Sequence, residues 1–165
     1  MNHEEFKIAF SEIIKKSSQK TLRDFAFDIC LRLKSDYINF SEITGFGNSE
    51  KLETILSEIQ TRPSFTNAEI ENNISELENI CPDTDDYKIN EVSYALNSIT
   101  STIDYLNFIK TENLKNIENI SSYILDSLDF KIENIEKNIS DLELENHPKI
   151  INEKDRQLKF LSNGL

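Results

Sequence analysis

The sequence predicts an all-α protein, a single compact bundle of about seven helices, with residues 1–165 as one domain. Three observations lead there. The 165 residues include only three Gly and three Pro, too few turn formers for a sandwich, a barrel or a Gly-rich phosphate loop. Leu, Ile, Glu, Lys and Asn fill the chain instead, and the apolar residues recur at steps of three and four. A 38% hydrophobic fraction beside 29% charged residues is too apolar for a disordered acidic tail. No apolar run approaches the ~18 residues of a membrane span.

Phe6, Ala9, Phe10, Ile13 and Ile14 put one apolar stripe on a helix from His3 to Lys16, closed by the polar Lys16, Ser17 and Ser18. Leu22, Phe25, Ala26, Ile29, Cys30 and Leu33 form the next stripe. Phe27 and Leu31 widen it, which marks a central helix contacted from several directions. A separate short turn of helix carries Tyr37, Phe40 and Ile43 to Gly45-Phe46-Gly47, where the glycines allow positive φ and a sharp redirection. Asn48 caps a helix with Leu52, Ile55, Leu56 and Ile59 on its apolar side, and Pro63 ends it. Thr66 and Glu69 form a capping box, with Phe65 and Ile70 at the staple positions. That helix buries Ile70, Ile74 and Leu77 and stops before Cys81 and Pro82.

Pro82 to Asp86 reads as a turn feeding the next helix, its aspartates capping free N–H groups at the positive end of the dipole. Ile89, Val92, Leu96, Ile99, Ile103 and Leu106 then make a heptad-like seam, and Phe25 and Leu96 are expected in the core. Thr111 starts a further helix with Leu114, Ile117, Ile120, Ile124 and Leu128. Ile132, Ile135 and Ile139 prolong the pattern, with a break at an unplaced position after Asp129. Asp141 to Asn146 reads as an acidic connection, and Pro148 suits the first turn of a last helix that buries Ile151, Leu158 and Leu161 and ends at Gly164. The absence of a fixed internal period argues against a solenoid. The absence of a long coiled-coil seam predicts a monomer when free.

A formal charge of −12 and a pI near 4.6 repel nucleic-acid phosphates and anionic lipid, and attract a basic protein. Cys30 and Cys81 make no disulfide framework, and Met1 to Phe10 lacks the pattern of a secretory signal, so a cytoplasmic protein with both cysteines as small buried hydrophobes is expected. His3 and His147 are poorly placed to activate a nucleophile. Leu144 stands three residues before His147 where a di-iron bundle needs Glu, and the cysteines and histidines lack zinc spacing. Asp83, Asp85 and Asp86 lack the later glycine and glutamate of a calcium loop. Carboxylates are plentiful, but no two stand out as an acid–base pair. The expectation is a protein without enzyme activity, metal or cofactor.

Every charged residue between Pro63 and Tyr87 is acidic. Glu69 is needed for the capping box and Asp83 for the next cap, which leaves Glu76, Glu78, Asp85 and Asp86 as candidate partner-binding residues. A second cluster, Asp141, Glu143 and Glu145, joins them as candidates; helix order leaves open whether the two share a face.

Three stretches together carry a family resemblance. Asp24 to Gly47, with Asp36-Tyr37-Ile38-Asn39-Phe40 followed by Thr44-Gly45-Phe46-Gly47, resembles the N-terminal part of the YjaG-like bacterial domains of unknown function. Cys81-Pro82-Asp83-Thr84-Asp85-Asp86-Tyr87, followed by a helix with Ala95, resembles their central motif. His147-Pro148 with Glu153 and Gln157 resembles their final helix. The resemblance covers most of the chain from Asp24 onward and implies an all-helical bundle. Some of these domains look like immunity proteins of contact-dependent growth inhibition systems. The resemblance therefore implies a protein that neutralises a cognate toxin, a basic nuclease such as an EndoU-like RNase, by covering its active site. The alternative is a non-enzymatic cytoplasmic helical domain that binds another protein and has no toxin partner.

Overall fold

Short polar side chains start most helices in the computed structural model, which describes residues 1–164. Asn2 and Glu5 make a capping box for α1 (His3–Lys16), Ser18 caps α2 (Gln19–Thr44) and Asn48 caps α3 (Ser49–Thr61). Thr66 and Glu69 make the expected capping box for α4 (Asn67–Ile80). After a single 3-10 turn (Thr84–Asp86) come α5 (Glu91–Thr111), α6 (Leu114–Ile135), α7 (Asp141–Glu145) and α8 (Pro148–Ser162). Among the described residues there are eight α-helices and no strand, one helix more than the sequence suggests. No described helix is long and apolar enough to cross a membrane.

Several boundaries differ from those read in the sequence, each for a local reason. The short helix carrying Tyr37 and Phe40 is the continuation of α2, since nothing between Leu33 and Thr44 breaks helix geometry. Gly45 then ends α2 at φ 70 and Gly47 follows at φ 87. A side chain at Gly47 would collide with the Tyr37 hydroxyl, so this turn needs glycine for space as well as for φ. Asp83 accepts from the Asp85 N–H at 2.9 Å and so caps the 3-10 turn, whereas α5 starts at Glu91 and Asn90 before it makes no side-chain cap. Thr111 is the last residue of α5, and Asn113 caps α6 by accepting from Lys115 N–H at 3.0 Å. The break after Asp129 falls beyond Ile135, where Asn138 takes φ 69. Asp141 to Glu145 is a short helix, because Ser140 and Glu143 supply a further capping box.

The helices run alternately up and down the bundle. Arg32 meets Glu153 and Asp28 meets Arg156, so α2 and α8 are antiparallel. Asn134 bonds the Tyr94 hydroxyl, which pairs the end of α6 with the start of α5. The helices α2 and α5 form the central pair. Small buried residues Ser98, Ser101 and Thr102 of α5 let the two axes approach, and Cys30 of α2 is fully buried against that stripe. Burial pushes the Cys30 thiol up to about 12. Leu96 departs from its expected core place: it is half-buried, while Ala95, Ile99 and Leu106 are inaccessible, because α5 turns its small residues toward α2.

Phe25 is core, as expected, in an aromatic chain with ring centroids 5.6 Å from Phe10 and 5.8 Å from Phe160. At the opposite end Phe40, Phe46 and Tyr87 pack as a second aromatic group. Tyr37 lies beneath it, donating to the Ile80 carbonyl at 2.8 Å and accepting from the Asn48 N–H at 3.1 Å. One hydroxyl thus ties α2 to the start of α3 and the end of α4.

Candidate functional site

The two acidic clusters occupy the same end of the bundle but rest on different helices. The 3-10 turn leads into α5 and α7 follows α6, and the Asn134–Tyr94 bond holds those helix ends side by side. The first cluster packs on α5, whereas α7 packs on α6 and α8.

In the first cluster the structure separates four residues that looked alike in sequence. Glu76 has a counter-charge after all: Lys51 of α3 lies 3.1 Å from it. Glu71 is paired with Lys110 and Glu69 with Arg62, so cations from outside the segment neutralise much of α4. Glu78, Asp85 and Asp86 remain exposed and outside any ion pair among the described residues. Glu78 and Asp83 both bear on Cys81, whose thiol is pushed up first by burial and then by these two charges. Cys81 itself is half-buried where full burial was expected, because it sits at the exit of α4 rather than on its apolar side.

In the second cluster Glu143 spends its carboxylate on Ser140, whose hydroxyl first and backbone N–H second hold it below the usual carboxylate range. Glu145 accepts from the backbone N–H of His3 and so fastens the start of α1 to α7. Asp141 is exposed and faces no cation among the described residues. At this end of the bundle two large apolar side chains stand in water, Ile135 as the last residue of α6 at 73% and Leu142 between Asp141 and Glu143 at 69% exposure. His147 closes this corner as the cap of α8, accepting from Lys149 N–H through Nδ1 at 3.2 Å and meeting Glu136 through Nε2 at 3.1 Å. That arrangement gives His147 a helix-capping job.

Sequence reasoning missed the polar interior of α8. Its buried side chains are Ile150, Glu153, Lys154, Gln157 and Leu161, while Ile151 and Leu158 are only half-buried. Glu153 accepts from both Arg32 Nη atoms and from Gln157 Nε2 at 3.0 Å. Gln157 in turn accepts from the Ser121 hydroxyl. These partners close a satisfied hydrogen-bond network. Lys154 Nζ is buried without a hydrogen-bond partner, and Asp129 nearby is pushed up to about 6 by burial and by the charges of Asp126 and Glu133. Among the described residues no three His, Cys, Asp or Glu are grouped to hold a metal ion.

The family model described as "Protein of unknown function (DUF416)" matches residues 9–163. The chain belongs to the DUF416 family. The crystal structure of a DUF416 family protein from Shewanella baltica OS155 is similar to this one, with a TM-score of 0.80 and 24% sequence identity, covering 92% of this chain and 82% of that chain. At this identity the likeness shows a shared fold. No curated protein matches the sequence. Within this DUF416 bundle, Glu153 and Gln157 serve packing: both side chains are buried in hydrogen bonds that join α8 to α2 and α6.

Proposed function

We propose that this DUF416 chain is a non-catalytic binding protein that captures a basic protein partner through the α6–α7 end of its bundle. The observation that carries the reading is two large apolar side chains left in water at this end, Ile135 at the end of α6 and Leu142 on α7, the latter flanked in the chain by the exposed acids Asp141 and Glu143. Apolar side chains left in water add nothing to the fold, and an apolar centre with a charged rim is the usual build of a recognition surface. The acids set the sign of the partner, and the net charge of −12 would speed its approach. Glu78, Asp85 and Asp86 at the same end extend the negative field.

The finer form of the proposal is an immunity protein of the YjaG-like kind, whose partner is a basic nuclease toxin, EndoU-like in class, neutralised by covering its cleft. An acidic inhibitor suits such a target, because a nuclease cleft is built to attract phosphate. The test is binding to, and growth protection against, a toxin domain encoded beside the gene. Binding should weaken as salt rises, and the double substitution Asp141→Lys and Leu142→Asp should weaken it about tenfold or more with helicity retained. Unchanged binding by that folded variant would move the interface elsewhere. A partner that is basic but not a toxin would leave the simpler binding-domain reading standing.

A further inference from the structure

A cavity of about 410 Å3 opens between the start of α2, the end of α3, the Pro63–Phe65 loop and the C-terminal half of α5. That volume is in the range of small-molecule sites. Its charge runs against the rest of the chain: Lys20, Arg23 and Arg62 line it with a single carboxylate, Asp24. Lys20 is paired with Asp24 at 2.6 Å, and Arg62 reaches Glu69 at 2.7 Å while its guanidinium lies 4.5 Å over the Phe65 ring.

Arg23 is different. Arg32 is paired with Glu153, Arg62 with Glu69 and Arg156 with Asp28, but Arg23 has no ion pair among the described residues. Its Nε is buried and has no hydrogen-bond partner. Its two Nη groups are not buried and have no protein acceptor among the described residues either, so they are the donors that an anion entering the cavity would meet. Tyr105, 4% exposed as a whole residue, lines the same cavity, and its hydroxyl has no hydrogen-bond partner among the described residues. Two donors without a protein partner therefore line one cavity, together with the apolar Phe65 and Ile59.

We propose that this cavity binds a small organic anion with a flat apolar body, of the aromatic carboxylate class. Arg23 takes the carboxylate, Tyr105 donates to it, and the ring lies between Tyr105 and the Arg62–Phe65 pair. The site lies about 20 Å along α5 from the acidic end, so ligand and protein partner occupy separate surfaces.

The test is calorimetric titration of the full chain with 2-naphthoate and with its neutral analogue 2-naphthamide. Naphthoate should bind one to one, and naphthamide about tenfold more weakly or worse. Arg23→Gln should cost about tenfold in naphthoate affinity, and Tyr105→Phe should cost less, both with unchanged helicity. Lys115→Gln, in the separate groove between α1 and α6, should leave affinity unchanged. If Arg23→Gln does not fold, the naphthoate-to-naphthamide ratio and Tyr105→Phe decide the matter. Equal affinity for the two compounds, no binding of either, or full affinity in folded Arg23→Gln overturns the proposal.

Discussion

At the scale of single residues, Tyr37 holds more of the architecture together than its size suggests. Its ring is buried and its hydroxyl serves both the Ile80 carbonyl, at the end of α4, and the Asn48 N–H, at the start of α3. Tyr37→Phe keeps the packing and removes both bonds, leaving two backbone groups without partners. The expected loss is about 1–3 kcal/mol in urea unfolding, with the slope unchanged. Gly47 depends on the same hydroxyl, since any side chain there would displace it. The stability of this turn is thus one joint property of Tyr37, Gly47 and Asn48.

At the scale of elements, α8 is attached by polarity as well as by apolar burial. Glu153 is 5% exposed and is met by the half-buried Arg32. Removing only the carboxylate leaves the guanidinium with the longer contact to Asp28 at 3.5 Å and the Gln157 amide with the Ser121 carbonyl at 3.4 Å, so Glu153→Ala should destabilise by about 3 kcal/mol. Replacing both partners by Met removes the two desolvation costs together, and the double variant should recover most of that loss. A double-mutant cycle by chemical denaturation checks this. Additive losses would show that the pair contributes independently and that apolar packing alone holds α8.

At the scale of the whole molecule, the surplus of acid sets how stability depends on pH. Asp129 is pushed up to about 6 by burial first, then by Asp126 and Glu133, with Lys154 opposing. The native state therefore binds this proton more tightly than the unfolded chain. The resulting stabilisation is fully present below about pH 4 and is lost as pH rises through about 6. Asp129→Asn should flatten the stability profile between those limits and raise stability at pH 7 by about 1 kcal/mol, a figure discounted for the half-exposed position. Thermal melts at pH 4, 5, 6 and 7 measure it. A variant whose profile stays parallel to the parent would place the titration in another group. The half-buried aspartate is on α6 and does not line the cavity that holds Arg23, so naphthoate affinity should not change with it.

The sequence by itself determined what depends on near neighbours in the chain. Capping boxes such as Thr66–Glu69 span one helical turn, and stripes such as Leu52, Ile55, Leu56 and Ile59 repeat within two, so the all-helical fold and most helix starts were legible. Where the local signal is weak the sequence does not mark the element, as in the continuous α2 and the short α7. The acids were legible as a composition but not as a surface, because Lys51 and Lys110 reach α4 from other helices and strip Glu76 and Glu71 of their free charge. Tertiary structure alone decided that Arg32 meets Glu153 across 121 positions of chain. It alone gathered Arg23, Phe65 and Tyr105 around one cavity. The physical reason is common to both: a charge or a donor acquires its meaning from the groups packed against it, and those groups come from helices distant in sequence.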